Sequence, residues 1–271
     1  MERKIRLLIE YDGTAYAGWQ IQPGDKPTIQ LKIETAIELV TQSQSRIYCA
    51  GRTDAGVHAK GQVAHFYTES KIAAQRFAHA INSKLPPDIT VLQSTEVEQK
   101  FDSRRDARGK IYRYTILNRE MRPSLLRNRV WHLRYQLDLE AMKKAAALME
   151  GEHDFKCFQA SGCAAKTTVR CIYMIDIRKH ENDLITIDVF ATAFLKQMVR
   201  NIVGTLVEVG MGRMSVEHIA EVIESRDRSN AGPTAPACGL VMRKIFYSDD
   251  LPPKKLMDKV PKDHQQYILK K

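Results

Sequence analysis

The sequence predicts an α+β protein of two related α/β subdomains, with mainly antiparallel sheets packed around a basic cleft. Three observations carry this expectation. The chain has 271 residues, 44% hydrophobic and 27% charged, enough for a core and for about two domains at roughly 150 residues each. Apolar residues switch between a period of two and a helical period along the chain, so strands and helices alternate. The same β-α-β-type order occurs twice without an alignable repeat, on either side of an arginine-rich stretch near residue 105 that lacks the Pro/Gly composition of a free linker. The expected division is 1–105 as an N-terminal α+β subdomain, 106–247 as a C-terminal one, and 248–271 as a basic, poorly ordered tail.

Each element follows from local pattern. Residues 4–11 set Ile5, Leu7, Ile9 and Tyr11 on one face, a half-buried strand that Asp12-Gly13 ends. Thr28 is an N-cap signal, and Ile29, Ile33, Ile37 and Val40 recur behind it at helical spacing over three turns. Ile47–Ala50 and Gln62–Tyr67 read as strands flanking a glycine-punctuated loop, Ala73–Ile81 as a helix, and Ile89–Val97 as a strand set off by Pro86-Pro87. The second series has a strand at 110–117, a helix from Asp138 to Gly151, and strands at 170–178 and 184–190. Helices at 195–209 and 215–225 and a strand at 239–247 complete it. Beyond Tyr247 the composition changes to Ser-Asp-Asp-Leu-Pro-Pro, and six lysines stand against two aspartates between Lys254 and Lys271, the pattern of a solvated tail.

Charge narrows the partner. Forty-two basic residues against 32 acidic ones give a formal net charge of +10, which favours a polyanion. Between Lys100 and Arg134 nine arginines and two lysines face only Asp102, Asp106 and Glu120, with Tyr112, Tyr114, Trp131 and Tyr135 interleaved. Guanidinium groups bridge phosphate oxygens and aromatic rings stack on unpaired bases, so this mixture suits RNA; aromatics in a core behind a solvated arginine rim would leave the same pattern. No run of about 20 apolar residues is present, and Met1-Glu2-Arg3-Lys4 leads into alternation, so a soluble, cytoplasmic protein with no membrane partner is expected. The five cysteines form neither a C-x-x-C pair nor a zinc-finger spacing with histidine, which predicts reduced, mostly buried thiols.

Two segments could carry chemistry. Gly51-Arg52-Thr53-Asp54-Ala55-Gly56-Val57-His58-Ala59 reads either as a tight turn, with Asp54 bonding backbone and Gly56 at positive φ, or as a carboxylate held on a glycine-defined loop with Arg52 close enough to pair with it. His58 is a further acid–base candidate or a structural histidine. In the second segment Leu195, Val199, Ile202, Leu206 and Val209 form an apolar helical face, and Lys196 and Arg200 at i, i+4 are expected to project together, either as a solvated basic stripe or with the arginine near the helix start entering the cleft to meet Asp54 or a phosphate. Gly151-Glu152-His153-Asp154-Phe155 suggests a cap and a structural hydrogen bond. No glycine-rich phosphate cradle or H-E-x-x-H pair competes with these segments.

In combination these residues resemble the tRNA pseudouridine synthase A (TruA) family up to about residue 247. The resemblance rests on the order of separated motifs: Tyr11-Asp12-Gly13-Thr14 with Gly18-Trp19-Gln20, the Gly51–Ala59 loop with Gly61-Gln62-Val63, and Lys110-Ile111-Tyr112-Arg113-Tyr114. His153-Asp154-Phe155, Phe194-Leu195 with Met198-Val199-Arg200, and Ala231–Ala237 with Gly239-Leu240 follow in turn. It implies isomerisation of uridine to pseudouridine at positions 38, 39 and 40 of the tRNA anticodon stem-loop, with Asp54 as the essential aspartate. It also implies substrate contacts from Arg52, Arg200 and Tyr112, a homodimer spanned by tRNA, and no redox cofactor, nucleotide or metal. Whether Asp54 attacks C1′, attacks C6 or takes the 2′ proton stays open on sequence. A noncatalytic RNA-binding protein and a base-releasing glycosylase are the alternatives.

Overall fold

The computed structural model describes residues 1–248 together with 252, 254–258, 260, 262, 265 and 268. The chain divides into two compact units, residues 1–107 with 241–248, and residues 108–240 with 249–271.

In the first unit β1 (Arg3–Tyr11) lies between β3 (His58–Thr68) and β4 (Ile89–Val97), antiparallel to both. The period-two face sets the register: Ile5, Leu7 and Ile9 are fully buried, opposite Phe66, Ala64 and Gln62 of β3. Helix α1 (Ile29–Thr41) begins where Thr28 Oγ1 accepts the Leu31 N–H, and its Ile29, Ile33 and Ile37 enter the core. It ends at Gln42, whose left-handed backbone closes the last turn onto Glu38. The predicted strand at 47–50 contracts to β2 (Tyr48–Cys49), paired with His65 and Ala64 of β3. The predicted helix at 73–81 divides into a 3-10 turn, Ala74–Arg76, and α2 (Phe77–Asn82); across the junction Ser94 Oγ accepts the Ala78 N–H at 2.9 Å and donates to the Ala74 carbonyl at 2.6 Å.

The second unit is built on β5 (Gly109–Asn118), β8 (Val169–Lys179) and β9 (Leu184–Ala191), with β9 antiparallel to both others. Two short strands were not legible in the sequence: β6 (Trp131–Leu133), parallel to the end of β5, and β7 (Gly151–Asp154), antiparallel to β8. Helix α3 (Leu139–Ala147) starts at Asp138, whose carboxylate accepts the Ala141 N–H. It stops short of the predicted Gly151, which opens β7 at φ +100°. Helix α4 (Met198–Gly210) is buried nearly all round, and α5 (His218–Ser225) follows.

The start of α4 corrects the pairing of Lys196 with Arg200. Gln197 sits at φ +60°, outside the helical region, so Lys196 precedes the helix and the i, i+4 geometry does not exist. Its ammonium donates instead to the Ser161 carbonyl at 2.9 Å. The last strand, β10 (Leu240–Phe246), pairs in parallel with the start of β3 through Val241–His58 and Met242–Ala59, so residues 241–248 group with the first unit rather than with 106–247. The expectation of a poorly ordered tail falls largely outside the described residues. Among those described, Lys254–Met257 form a helical turn, and Val260 and Ile268 are buried.

Candidate active site

Asp54 sits half-buried on the loop between β2 and β3, and main-chain bonds hold that loop from both sides. Val57 N–H donates to the Asp54 carbonyl at 3.1 Å, with Gly56 at φ +77° completing the turn. Trp19 N–H donates to the Thr53 carbonyl at 3.0 Å, Gly56 N–H to the Tyr16 carbonyl at 3.3 Å, and Gln62 Nε2 to the Gly51 carbonyl at 2.6 Å. Thr53 Oγ1 is hydrogen-bonded to the buried Tyr11 hydroxyl at 2.8 Å. Burial raises that phenol well above its ordinary range, so it stays neutral.

The segment bracing this loop is the stretch from Tyr11 to Gln20, and its glycines are dictated by contact. A Cβ on Gly18, at φ +98°, would stand 2.7 Å from the Thr53 carbonyl oxygen and 3.0 Å from the Asp54 carbonyl carbon; one on Gly13 would stand 2.0 Å from the Val57 carbonyl oxygen. Asp12 Oδ1 accepts from both Thr14 N–H and Thr14 Oγ1, an Asx turn that fixes the entry. His58 lies in β3, almost fully buried. Its Nδ1 is 3.1 Å from Gly13 N and 3.0 Å from Asp12 Oδ1. As an acceptor it takes the first, and as a donor the second, so in either tautomer it ties β3 to the bracing turn.

Arg52 does not pair with Asp54 as the sequence suggested. It is exposed, and among the described residues it forms no ion pair. Main-chain bonds from Trp19 and Gly56 hold the loop on this side without Arg52.

In the second unit Tyr112 lies on the buried face of β5, with its ring edge-on to Phe194 at 5.0 Å. Arg200, in the first turn of α4, donates through Nε to the Ala235 carbonyl at 2.8 Å, while Ala235 N–H donates to the Arg200 carbonyl at 3.1 Å. Sequence reasoning missed what supports this clamp. Fully buried Asn201 donates to the Phe158 carbonyl at 2.7 Å and accepts from Thr234 Oγ1 at 2.6 Å and Arg228 Nη2 at 3.1 Å; Thr205 Oγ1 accepts the Gly232 N–H at 2.9 Å. The available signal was an asparagine and a threonine at i, i+4 in an otherwise apolar helix, a pairing that demands partners when buried. Asp154 caps the following 3-10 turn and pairs with Arg226 Nε at 3.2 Å, a structural role.

The basic segment separates by function. Arg113 makes a two-pronged pair with Asp188, at 2.7 and 2.6 Å, and that carboxylate raises the guanidinium above its usual range. Tyr114 is buried and donates to the Pro236 carbonyl at 2.7 Å. Trp131 is half-buried and Tyr135 exposed, so two of the four interleaved aromatics belong to the interior. Among the described residues no cluster of three His, Cys, Asp or Glu side chains is placed to hold a metal ion, and no helix is long and apolar enough to cross a membrane. Burial pushes the Cys157 thiol up to about 12, which makes it a poor nucleophile.

Comparison with known proteins matches residues 7–104 and 145–248 to the family described as tRNA pseudouridine synthase. A Clostridium perfringens protein named tRNA pseudouridine synthase A 2 is 51% identical over 245 residues, covering 90% of this chain and all of the relative. Proteins named tRNA pseudouridine synthase A from Myxococcus xanthus and Citrifermentans bemidjiense are 45% identical over 249 residues and 46% over 248. They cover 92% and 91% of this chain, and 94% and 98% of their own lengths.

Proposed function

The chain belongs to the tRNA pseudouridine synthase family, and on that premise we propose that Asp54 is its catalytic residue, acting on uridines at positions 38, 39 and 40 of the tRNA anticodon stem-loop. The reaction is an isomerisation. The N1–C1′ bond breaks, the uracil turns, a C5–C1′ bond forms, and the proton lost from C5 is balanced by one gained at N1. It requires a carboxylate held rigidly against the ribose or the base, a surface that keeps the detached uracil, and a group that accepts the C5 proton.

One observation carries the assignment of Asp54: its loop is fixed by hydrogen bonds on both sides and by backbone contact too close for a side chain at Gly18. Rigid placement of a reacting group supplies much of the advantage of an enzyme site. Tyr112 offers a ring to the uracil and a hydroxyl for the C5 proton. Arg52 and Arg200 hold phosphates of the flipped target nucleotide, Arg200 with its fork oriented by the Ala235 carbonyl. The enzyme works in the cytoplasm as a homodimer, which light scattering at working concentration tests directly.

Tritium release from unmodified tRNA labelled at uridine C5 tests the whole reading. Release by the intact protein, its loss in Asp54→Asn and the absence of free uracil are expected. Free uracil would indicate a glycosylase, and release undiminished in Asp54→Asn would remove Asp54 from the mechanism.

A further inference from the structure

The second unit contains a cavity of about 480 Å³ lined by none of the residues assigned to the reaction; Arg122, Ser124, Arg127, Trp131, His132 and Pro236 are among its walls. Its size falls within the roughly 300–1,000 Å³ typical of small-molecule sites. The lining joins an aromatic ring to two cations, the combination that takes a base on its face and a phosphate at its side.

Each part is held in place. Trp131 belongs to β6, opposite Ile116 of β5, and receives the edge of the Tyr114 ring at 6.1 Å. Tyr114 is in turn anchored through its hydroxyl to the Pro236 carbonyl, on the cavity wall. His132 Nε2 is 2.8 Å from the Arg119 carbonyl, so Nε2 carries the proton and Nδ1 is left an acceptor. Arg127 Nη1 donates to the Ser124 carbonyl at 3.0 Å, which curls the loop, and among the described residues neither Arg122 nor Arg127 has an acidic partner. Arginines with no carboxylate, beside a half-exposed tryptophan in an open cavity, are arranged for an anion carrying an aromatic group.

We propose that this cavity binds one unpaired nucleotide of the substrate tRNA other than the uridine being isomerised, its base stacked on Trp131 and its phosphate between Arg122 and Arg127. This rests on the reading of the chain as a tRNA-modifying enzyme and adds a second point of grip. A nucleotide held there raises affinity for tRNAs that present an extrahelical base at the right distance, so the cavity contributes to substrate choice.

Intrinsic fluorescence separates the site from the chemistry. The chain has two tryptophans, and Trp19 is only 1% exposed in the core of the first unit. Adding unmodified tRNA is expected to quench the Trp131 signal in the intact protein and equally in Asp54→Asn, and Trp131→Phe is expected to abolish the quench. Trp131→Ala is expected to raise KM for tRNA about tenfold, the scale of one lost base stack, with the effect in KM rather than kcat. Trp131→Phe, which keeps a ring, is expected to restore most of the affinity. Arg122→Gln with Arg127→Gln is expected to lower the salt dependence of binding by about one phosphate contact. Isomerisation with no quench and an unchanged KM in Trp131→Ala would overturn the inference while leaving the function intact. Quenching by uridine monophosphate but not by tRNA would overturn it in favour of a free nucleotide. No isomerisation of tRNA by the intact protein would instead sink the functional reading.

Discussion

Gly18→Ala measures how much of the site depends on the brace under Asp54. The new methyl group has two costs. A side chain at φ +98° is strained by about 1–2 kcal/mol. Its Cβ would also stand 2.7 Å from the Thr53 carbonyl oxygen, backbone that cannot swing away as a side chain can, and overpacking of this kind costs about 1–3 kcal/mol. The expected loss is therefore about 2–5 kcal/mol against a typical total of roughly 5–15 kcal/mol. Gly24 supplies the control, since it has φ +90° with nothing within 4 Å of its would-be Cβ. Gly24→Ala carries only the backbone strain, less the gain from a stiffer unfolded chain, and is expected to lose about 1 kcal/mol. Urea unfolding followed by circular dichroism reads both. In the folded fraction of Gly18→Ala, relief of the clash moves the Thr53–Ala55 backbone, and a displacement approaching 1 Å at a reacting group lowers kcat by about 100-fold. Single-turnover tritium release measures that loss. Equal stability of Gly18→Ala and Gly24→Ala, with kcat preserved, would refute the claim that contact at Gly18 positions Asp54.

Asn201→Ala deprives the Phe158 carbonyl, Thr234 and Arg228 of a buried partner and is expected to destabilise by about 2–4 kcal/mol in urea unfolding; a loss under 1 kcal/mol would mean that water replaces the amide. Tyr112→Phe keeps the ring packed on Phe194 but removes the hydroxyl, and kcat is expected to fall by about 100-fold with KM little changed. An unaltered kcat would assign proton removal elsewhere. Burial, and then the Lys4 ammonium, lower His65 below its ordinary pKa. The unfolded chain therefore binds the proton first as pH falls, and stability declines from about pH 6.5 down to the folded-state value. His65→Gln is expected to flatten this slope in thermal melts between pH 7.5 and 5.5, and an unchanged slope would exclude His65 as its source.

The strands and helices that form the two cores were legible because burial follows period. Ile5, Leu7 and Ile9 specify β1, and Ile29, Ile33 and Ile37 specify α1, with Thr28 capping as its side chain requires. The errors fall where backbone dihedrals overrule side-chain pattern. Apolar spacing around Leu195 and Val199 continued a helix that Gln197 cannot join, and that single left-handed residue detached Lys196 from Arg200. β6 and β7 are three and four residues long, too short to register as alternation, and exist through pairing with the neighbouring strands β5 and β8, across connections that carry no strand pattern of their own. The parallel pairing of β10 with β3 is likewise a long-range choice that no local pattern encodes.

At the candidate site, sequence pointed to candidate residues but not to their relations. Arg52 stands two positions from Asp54, and proximity in sequence suggested an ion pair; in the fold the loop is secured by carbonyls and amides, and the guanidinium faces outward. The distinction matters for the role proposed for Arg52, because a guanidinium already paired with a carboxylate is less available to hold a phosphate. The same test sorts the basic segment. Arg113 is locked to Asp188 and serves the sheet, whereas Arg122 and Arg127 have no acidic partner among the described residues. A charge count over residues 100–134 treats all three alike. What separates an arginine that builds the protein from one that meets its substrate is the presence of a carboxylate within reach, and for Arg113 that carboxylate, half-buried, arrives from β9, some seventy-five positions away.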